Sequence, residues 1–198
     1  VLWMTDSADD ESSLALTVSV ERVEEIVALS TQRIEQRVPL ALLLGCCQFM
    51  GYEFLLEPGV VVPRSPIGYL IDGPEQPWLP KRVQRILDLC SGSGCLGIVA
   101  AHRFPDAQVT LVELDPTAAA LARENVQLHA LEDRVTVLEG DATTLFAGLE
   151  PGWDLIITNP PYVDKADMQV LPAEYRHEPV HGLAGGEDGL LLVDEFLR

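Results

Sequence analysis

Positive charge is scarce in this sequence. The 198 residues include 13 Lys and Arg against 31 Asp and Glu, which gives a formal net charge of −18 at pH 7. Proteins that bind nucleic acids draw much of their affinity from Lys and Arg contacts with phosphates. We therefore expect no direct binding to DNA or RNA, whereas a basic protein would be attracted to the surface. The same negative charge also favours solubility. Composition alone does not distinguish attraction of a basic partner from solubility as the role of this charge.

Cysteines and long apolar runs are few as well. Cys46, Cys47, Cys90 and Cys95 form no Cys-x-x-Cys pair and have no His at zinc spacing, so we expect reduced thiols and no metal site. No apolar run approaches the roughly 18 residues that a membrane span needs. The first residues, Val1–Thr5, lack the basic residues of a secretory signal. These absences predict a cytoplasmic protein without a membrane anchor.

What is present is typical of a globular enzyme. Hydrophobic residues make up 47% of the chain and charged residues 22%, which is ordinary usage for a folded domain. A proline-rich connector at 72–80 divides the chain into an N-terminal domain, residues 1–80, and a core, residues 81–198.

The N-terminal domain is predicted to be helical with a hairpin. Apolar residues at helical spacing predict an amphipathic helix over about 19–37. Phe49–Phe54 and Gly59–Pro63 are predicted as two short hairpin strands, with the turn at Glu57–Gly59.

The core begins with a strand that enters a glycine-rich turn. Arg85–Leu89 is apolar enough for a buried strand, and Cys90–Gly97 follows it and leads into helical periodicity. Such a turn points backbone N–H groups at a ligand. Glu113 lies about twenty residues further on, after the predicted strand Gln108–Val112, where a carboxylate can accept hydrogen bonds from a ribose diol.

A third strand supplies another acid. Arg134–Leu138 is followed by Asp141, which could accept a hydrogen bond from an adenine amine or be a solvated loop acid. Strands that alternate with helices predict an α/β fold with a parallel sheet. A nicotinamide-binding fingerprint would look similar, so the cofactor class stays open at this point.

Asn159-Pro160-Pro161-Tyr162 is the most informative stretch of the chain. It follows the apolar run Asp154–Thr158 and so lies at the carboxyl end of a predicted strand, where open α/β sheets bind ligands. Two prolines restrain the backbone there, which leaves the Asn159 side chain and the Pro160 carbonyl as paired hydrogen-bond acceptors. Paired acceptors suit a planar –NH2 group, such as a glutamine amide or an exocyclic base amine. A rigid turn without chemistry is the alternative.

Together these motifs resemble the S-adenosylmethionine-dependent methyltransferases of the seven-stranded Rossmann-like class. Val62–Ile67, Glu174–Pro179 and Gly185–Leu190 are similar to the protein-glutamine methyltransferases that modify the translation apparatus. One branch acts on peptide chain release factors and the other on the third large-subunit ribosomal protein. Pro63–Ile67 and Cys90 resemble the second branch. The resemblance implies a Rossmann-like core whose remaining carboxyl-terminal strands we expect to lie outside this sequence.

The resemblance also implies roles for particular residues. The cofactor, S-adenosylmethionine, would be bound by Asp88, Cys90, Gly92, Gly94, Glu113, Asp141 and Asn159. The catalytic candidates are Asn159, Pro160 and Tyr162, and the substrate-binding candidates are these three with Pro161, Arg64 and Glu178. The expected partner is a basic ribosomal protein.

Four other functions agree less well with these motifs. Methylation of release factors is the alternative within the same chemistry, and a DNA amine methyltransferase is disfavoured by the negative charge. A nicotinamide-dependent oxidoreductase is disfavoured because the glycine turn lacks its usual first glycine and because it would not explain Asn159–Tyr162. A non-catalytic adenosine-binding module would leave those four residues without a role.

Overall fold

A computed structural model describes residues 18–73 and 76–197. Residues 1–17 of the predicted N-terminal domain lie outside this range. The helices are α1 Val20–Glu35, α2 Leu40–Leu44, α3 Ile67–Asp72, α4 Cys95–Arg103, α5 Pro116–Leu128, α6 Ala142–Gly148, α7 Asp167–Val170 and α8 Leu191–Phe196. The strands are β1 Cys46–Phe49, β2 Tyr52–Leu55, β3 Arg85–Leu89, β4 Gln108–Glu113, β5 Val135–Glu139 and β6 Leu155–Thr158.

The predicted amphipathic helix is present as α1. Ser19 caps its first turn, because the Ser19 hydroxyl oxygen accepts a hydrogen bond from the backbone N–H of Arg22 at 3.3 Å. The apolar stripe remains largely uncovered within the described chain, and Val20 is 71% exposed.

The hairpin prediction is wrong in its boundaries. β1 and β2 pair antiparallel through Phe49 and Tyr52, so the turn lies at Met50 and Gly51 rather than at Glu57–Gly59. A two-residue hairpin turn favours positive φ at both positions, and Met50 and Gly51 have φ of 51° and 82°. Residues 59–63, predicted as the second strand, form no strand in the structure.

The core is a parallel sheet in the order β5-β4-β3-β6. These strands agree with the predicted ones to within about a residue, and the α/β prediction is confirmed. The chain runs outward from β3 through β4 to β5 and then returns to place β6 on the other side of β3. This reversal creates a switch point between β3 and β6, where the loops that follow the two strands separate and leave a crevice.

Close packing holds the helices to this sheet. Gly97 in α4 lies so near β4 that a Cβ on it would come within 2.2 Å of Leu111 Cδ2. The buried Asn125 in α5 links three segments: its Oδ1 accepts from Leu55 N–H at 2.7 Å, and its Nδ2 donates to the carbonyls of Leu55 at 3.2 Å and Ser93 at 3.0 Å. One side chain thus joins the hairpin to the glycine turn.

Across residues 18–73 and 76–197, every helix is too short or too polar to cross a membrane.

Candidate active site

A cavity of about 620 Å³ opens at the carboxyl edge of the sheet. Its volume is in the range of small-molecule sites. The wall combines the glycine turn after β3, the end of β4, the segments that follow β5 and β6, and two segments that cover residues 59–66 and 167–183 in part. The motifs that the sequence placed at separate strand ends therefore surround one space.

The glycine turn forms one side of the cavity. Cys90, Gly92 and Gly94 all have positive φ, at 59°, 56° and 80°. A Cβ on Gly92 would meet no atom within 4 Å, so this backbone is open to the cavity. The hydroxyl of Ser91 is buried without a hydrogen-bond partner among the described residues. Buried polar groups are normally paired, and hydroxyls beside an open backbone suit a polar ligand.

Glu113 connects this turn to β4. Its carboxylate Oε2 accepts from Gly92 N–H at 2.7 Å, and its Oε1 accepts from Asp115 N–H at 2.9 Å. The residue is only 9% exposed and lines the cavity. Each carboxylate oxygen has a further lone pair, so the group can hold the turn and still accept hydrogen bonds from a diol.

The other two predicted acids lie in different places. Asp88 is fully buried and does not line the cavity; its Oδ2 accepts from Gly97 N–H at 2.8 Å, and its Oδ1 has no partner in the part of the chain that the structure describes. Burial raises the pKa of Asp88 to about 7. Asp141 does line the cavity, and it caps α6 by accepting from the Thr143 hydroxyl at 2.6 Å and backbone N–H at 2.8 Å. These bonds lower the pKa of Asp141, with the hydroxyl contributing most.

Cys90 occupies a backbone conformation that favours glycine. Its φ of 59° is left-handed, and its side chain lines the cavity. Burial is the main reason that the pKa of this thiol is raised to about 12. The group is therefore a neutral thiol, and we assign it to packing rather than to nucleophilic chemistry.

The acceptor motif forms the opposite side of the cavity. Asn159, Pro160, Pro161 and Tyr162 all line it. Pro160 is buried, whereas Tyr162 is 63% exposed and lies at the opening. The Ser65 hydroxyl donates to Asn159 Oδ1 at 3.4 Å.

Arg64 and Glu178, both predicted to bind substrate, contact each other. The Arg64 guanidinium makes two bonds to the Glu178 carboxylate, at 2.7 and 3.0 Å, and lies 4.6 Å from the centre of the Tyr175 ring. Glu178 also accepts from Val62 N–H at 3.4 Å. The Glu178 side chain is 3% exposed and that of Arg64 is 40% exposed. Since Arg64 lines the cavity and Glu178 does not, the pair joins two loops of its wall rather than forming two substrate contacts.

Sequence reasoning did not single out Ser65 or Asn125. Ser65 belongs to the motif Val62–Ile67, and no local pattern indicates its contact with Asn159, which is 94 residues away. No sequence feature distinguishes Asn125 from the other polar residues of its predicted helix. Only the tertiary contacts reveal these two roles.

In the described residues, no group of three or more His, Cys, Asp or Glu side chains is arranged to hold a metal ion.

Comparison with known proteins places the chain in a family. The family model described as "Methyltransferase small domain" matches residues 77–175, half of the chain. A Bordetella pertussis protein named ribosomal protein uL3 glutamine methyltransferase is 45% identical over 175 residues, which cover 87% of this chain and 58% of that protein. A protein of the same name from Burkholderia pseudomallei is 40% identical over 94% of this chain and 63% of its own length. The chain thus spans less than two thirds of these relatives.

Solved structures show the same fold at greater distance. The catalytic domain of hMettl16, in complex with the MAT2A 3'UTR hairpin 1, has a TM-score of 0.54 with 14% identity, over 92% of this chain and 62% of that one. This likeness supports the Rossmann-like fold alone.

Proposed function

The chain belongs to the methyltransferase small domain family, and we propose that it transfers the methyl group of S-adenosylmethionine to the side-chain amide nitrogen of a glutamine in ribosomal protein uL3. The names of the two relatives support the substrate. The observation that carries the proposal is the shared cavity: Asn159–Tyr162 face the same space as the glycine turn and Glu113.

The residues present fit the proposed cofactor. The open backbone at Gly92 and the buried Ser91 hydroxyl beside it would receive its amino acid part. Glu113 would accept from the ribose hydroxyls, and Asp141 from the adenine amine. The bound cofactor supplies a methyl group on a positively charged sulfur, which is the electrophile of the reaction.

Asn159 and Pro160 would prepare the acceptor nitrogen. The lone pair of an amide nitrogen is delocalised into its carbonyl, so the nitrogen is a weak nucleophile. If Asn159 Oδ1 and the Pro160 carbonyl each accept one N–H hydrogen, they orient the nitrogen and stabilise the positive charge that develops on it. In the transfer, the acceptor nitrogen held by these two groups would gain the methyl group as the cofactor leaves as the neutral thioether, and the nitrogen would then lose its proton to solvent. No strong general base is needed before transfer.

Other parts of the wall would orient the protein substrate. Tyr162 is exposed at the opening, where its ring offers a flat surface for the amide. We assign substrate orientation to the domain of residues 1–80 because Arg64 and Ser65 contribute to the cavity. The net charge of −18 would attract a basic ribosomal protein.

The test offers full-length protein two substrates, purified uL3 and a release factor, with labelled S-adenosylmethionine at low and high salt. We expect faster methylation of uL3, a mass gain of one methyl group on one of its glutamines, and a slower rate at high salt, where charge attraction is screened. A short glutamine peptide should be much less sensitive to salt. Faster methylation of the release factor at both salt concentrations would contradict the uL3 assignment, and methylation of neither protein would contradict the proposed function.

A further inference from the structure

We propose that Ser65 is a positioning residue for methyl transfer: its hydroxyl holds the Asn159 carboxamide in the orientation that keeps Oδ1 available as an acceptor. This inference rests on the proposed amide methylation. The Ser65 Oγ to Asn159 Oδ1 distance is 3.4 Å, and both residues line the cavity.

The neighbouring backbone takes up part of the hydrogen-bonding capacity of the Ser65 hydroxyl. Ile67 N–H donates to Ser65 Oγ at 3.3 Å, which occupies one of the two acceptor positions of the hydroxyl. The single hydroxyl hydrogen is then available for Asn159 Oδ1, and Oδ1 keeps a second lone pair for a substrate N–H.

Orientation matters because an asparagine carboxamide has two faces of nearly the same shape. A rotation of about 180° about the last side-chain bond exchanges the acceptor oxygen for the donor NH2 group. A donor in that place would repel the substrate –NH2 instead of accepting from it. A contact that favours oxygen on the Ser65 side therefore selects the reactive arrangement before substrate arrives.

Ser65 is itself held from both sides. On one side, Arg64 is bound to the buried Glu178 carboxylate by two hydrogen bonds. On the other side, α3 begins two residues later, and a Cβ on its Gly68 would lie 2.7 Å from Met50 Cγ. This tight packing of α3 on the hairpin leaves the Ser65 segment little freedom to move away from Asn159.

A positioning residue that acts through Asn159 has a defined kinetic signature. We expect Ser65→Ala to lower kcat roughly 2- to 10-fold, the range that one neutral hydrogen bond supplies, with KM and cofactor affinity nearly unchanged. Ser65→Thr keeps the hydroxyl and should restore most of the rate. In an Asn159→Ala background, Ser65→Ala should have no further effect, because the side chain that it orients is gone.

A spectroscopic measurement on the full-length protein makes the test independent of the substrate. The side-chain NH2 signals of Asn159, assigned by their loss in Asn159→Ala, should show greater ps–ns mobility in Ser65→Ala than in the unchanged protein and in Ser65→Thr. If the unchanged protein methylates no glutamine, the proposed function fails and these signals still decide the Ser65–Asn159 contact. Unchanged signals, or an equal loss of rate from Ser65→Ala with and without Asn159, would overturn the inference.

Discussion

The two sides of the cavity are built in different ways. On the side of the glycine turn and Glu113, which we call the cofactor side after its proposed ligand, Glu113 is 9% exposed and its carboxylate accepts from the backbone N–H groups of Gly92 and Asp115. On the side of Asn159–Tyr162, which we call the acceptor side after its proposed role, Tyr162 is 63% exposed and Asn159 is contacted by the Ser65 side chain.

This difference has a physical consequence. The cofactor side continues directly into the buried strands β3 and β4, so a change there also disturbs the core. The acceptor side follows β6, and its loops are joined across long stretches of sequence by bonds such as Val163 N–H to the Leu183 carbonyl at 2.8 Å. Its exposed side chains, such as Tyr162, can change with less effect on the fold. The proposed cofactor is small and would need one fixed shape, whereas the proposed protein substrate would have to enter and leave past these exposed side chains.

The largest effect that would sharpen this comparison is expected from Asn159→Ala. Loss of a preorganised hydrogen-bonding group costs on the order of a hundredfold or more in rate. Because the side chain is proposed to act mainly on the acceptor, cofactor affinity should remain nearly intact. A labelled-methyl assay and calorimetry measure the two quantities. Turnover within a few-fold of the unchanged protein would remove Asn159 from the mechanism.

Glu113→Ala should have the opposite pattern, with weaker cofactor binding. We expect a loss of about 1.5–3 kcal/mol, the usual contribution of hydrogen bonds to a charged group. Glu139→Ala is the matched control, since Glu139 ends the neighbouring strand β5, is exposed and does not line the cavity. Calorimetric titration of S-adenosylmethionine measures both variants. Equal affinity in the two would place the ribose elsewhere, and saturable micromolar NAD binding would favour an oxidoreductase.

The parts of the fold that could be predicted from the sequence are those that local patterns specify. The strands β3 to β6 and the glycine turn follow from local patterns, because each is specified by consecutive residues. The hairpin turn was misplaced because Glu57-Pro58-Gly59 has typical turn composition, whereas Met50 adopts its positive φ despite having a side chain.

Long-range pairs lay beyond sequence reasoning. Arg64 and Glu178 were both selected, but 114 residues separate them and nothing local indicates that their charges neutralise each other. The resemblance to the methyltransferases implied that Asp88 binds the cofactor, yet its carboxylate is buried away from the cavity and accepts from Gly97 N–H.

A packing change beneath the cofactor side should destabilise the protein without touching the acceptor side. In Gly97→Ala the new methyl group would lie 2.2 Å from Leu111 Cδ2 and 3.0 Å from Asp88 Oδ2, and both of these side chains are fully buried. We expect a loss of about 1–3 kcal/mol in the free energy of unfolding, the usual cost of overpacking. Gly148→Ala is the control, because a Cβ there meets nothing within 4 Å. Denaturant titration that finds equal stability in both variants would contradict this tight packing.

The smallest effect concerns two histidines that connect the hairpin to the core. His102 Nε2 lies 3.1 Å from His129 Nδ1, and His129 Nε2 lies 2.9 Å from the Glu53 carbonyl oxygen in β2. If His129 Nε2–H donates to that carbonyl, its Nδ1 can accept from His102 Nε2–H, and both rings are neutral. Burial lowers the pKa of each ring below 6.5. For His102, the neighbouring His129 and Arg134 lower the pKa further, whereas Asp72 raises it.

The sign of the pH dependence follows from these lowered pKa values. As pH falls below about 6.5, the unfolded chain binds protons that the folded rings resist, so the stability from this pair is present above that pH and is lost toward the lower folded pKa. Asp88, with its raised pKa, changes stability with pH in the opposite direction. Its contribution is removed by comparing two proteins, the unchanged protein and His102→Gln/His129→Gln. For each, the free energy of unfolding is measured from pH 8 to 5.5. We expect the unchanged protein to lose more stability on acidification. Parallel pH curves for the two proteins would show that the two rings bind protons equally in the folded and unfolded chain, which would contradict the lowered pKa values.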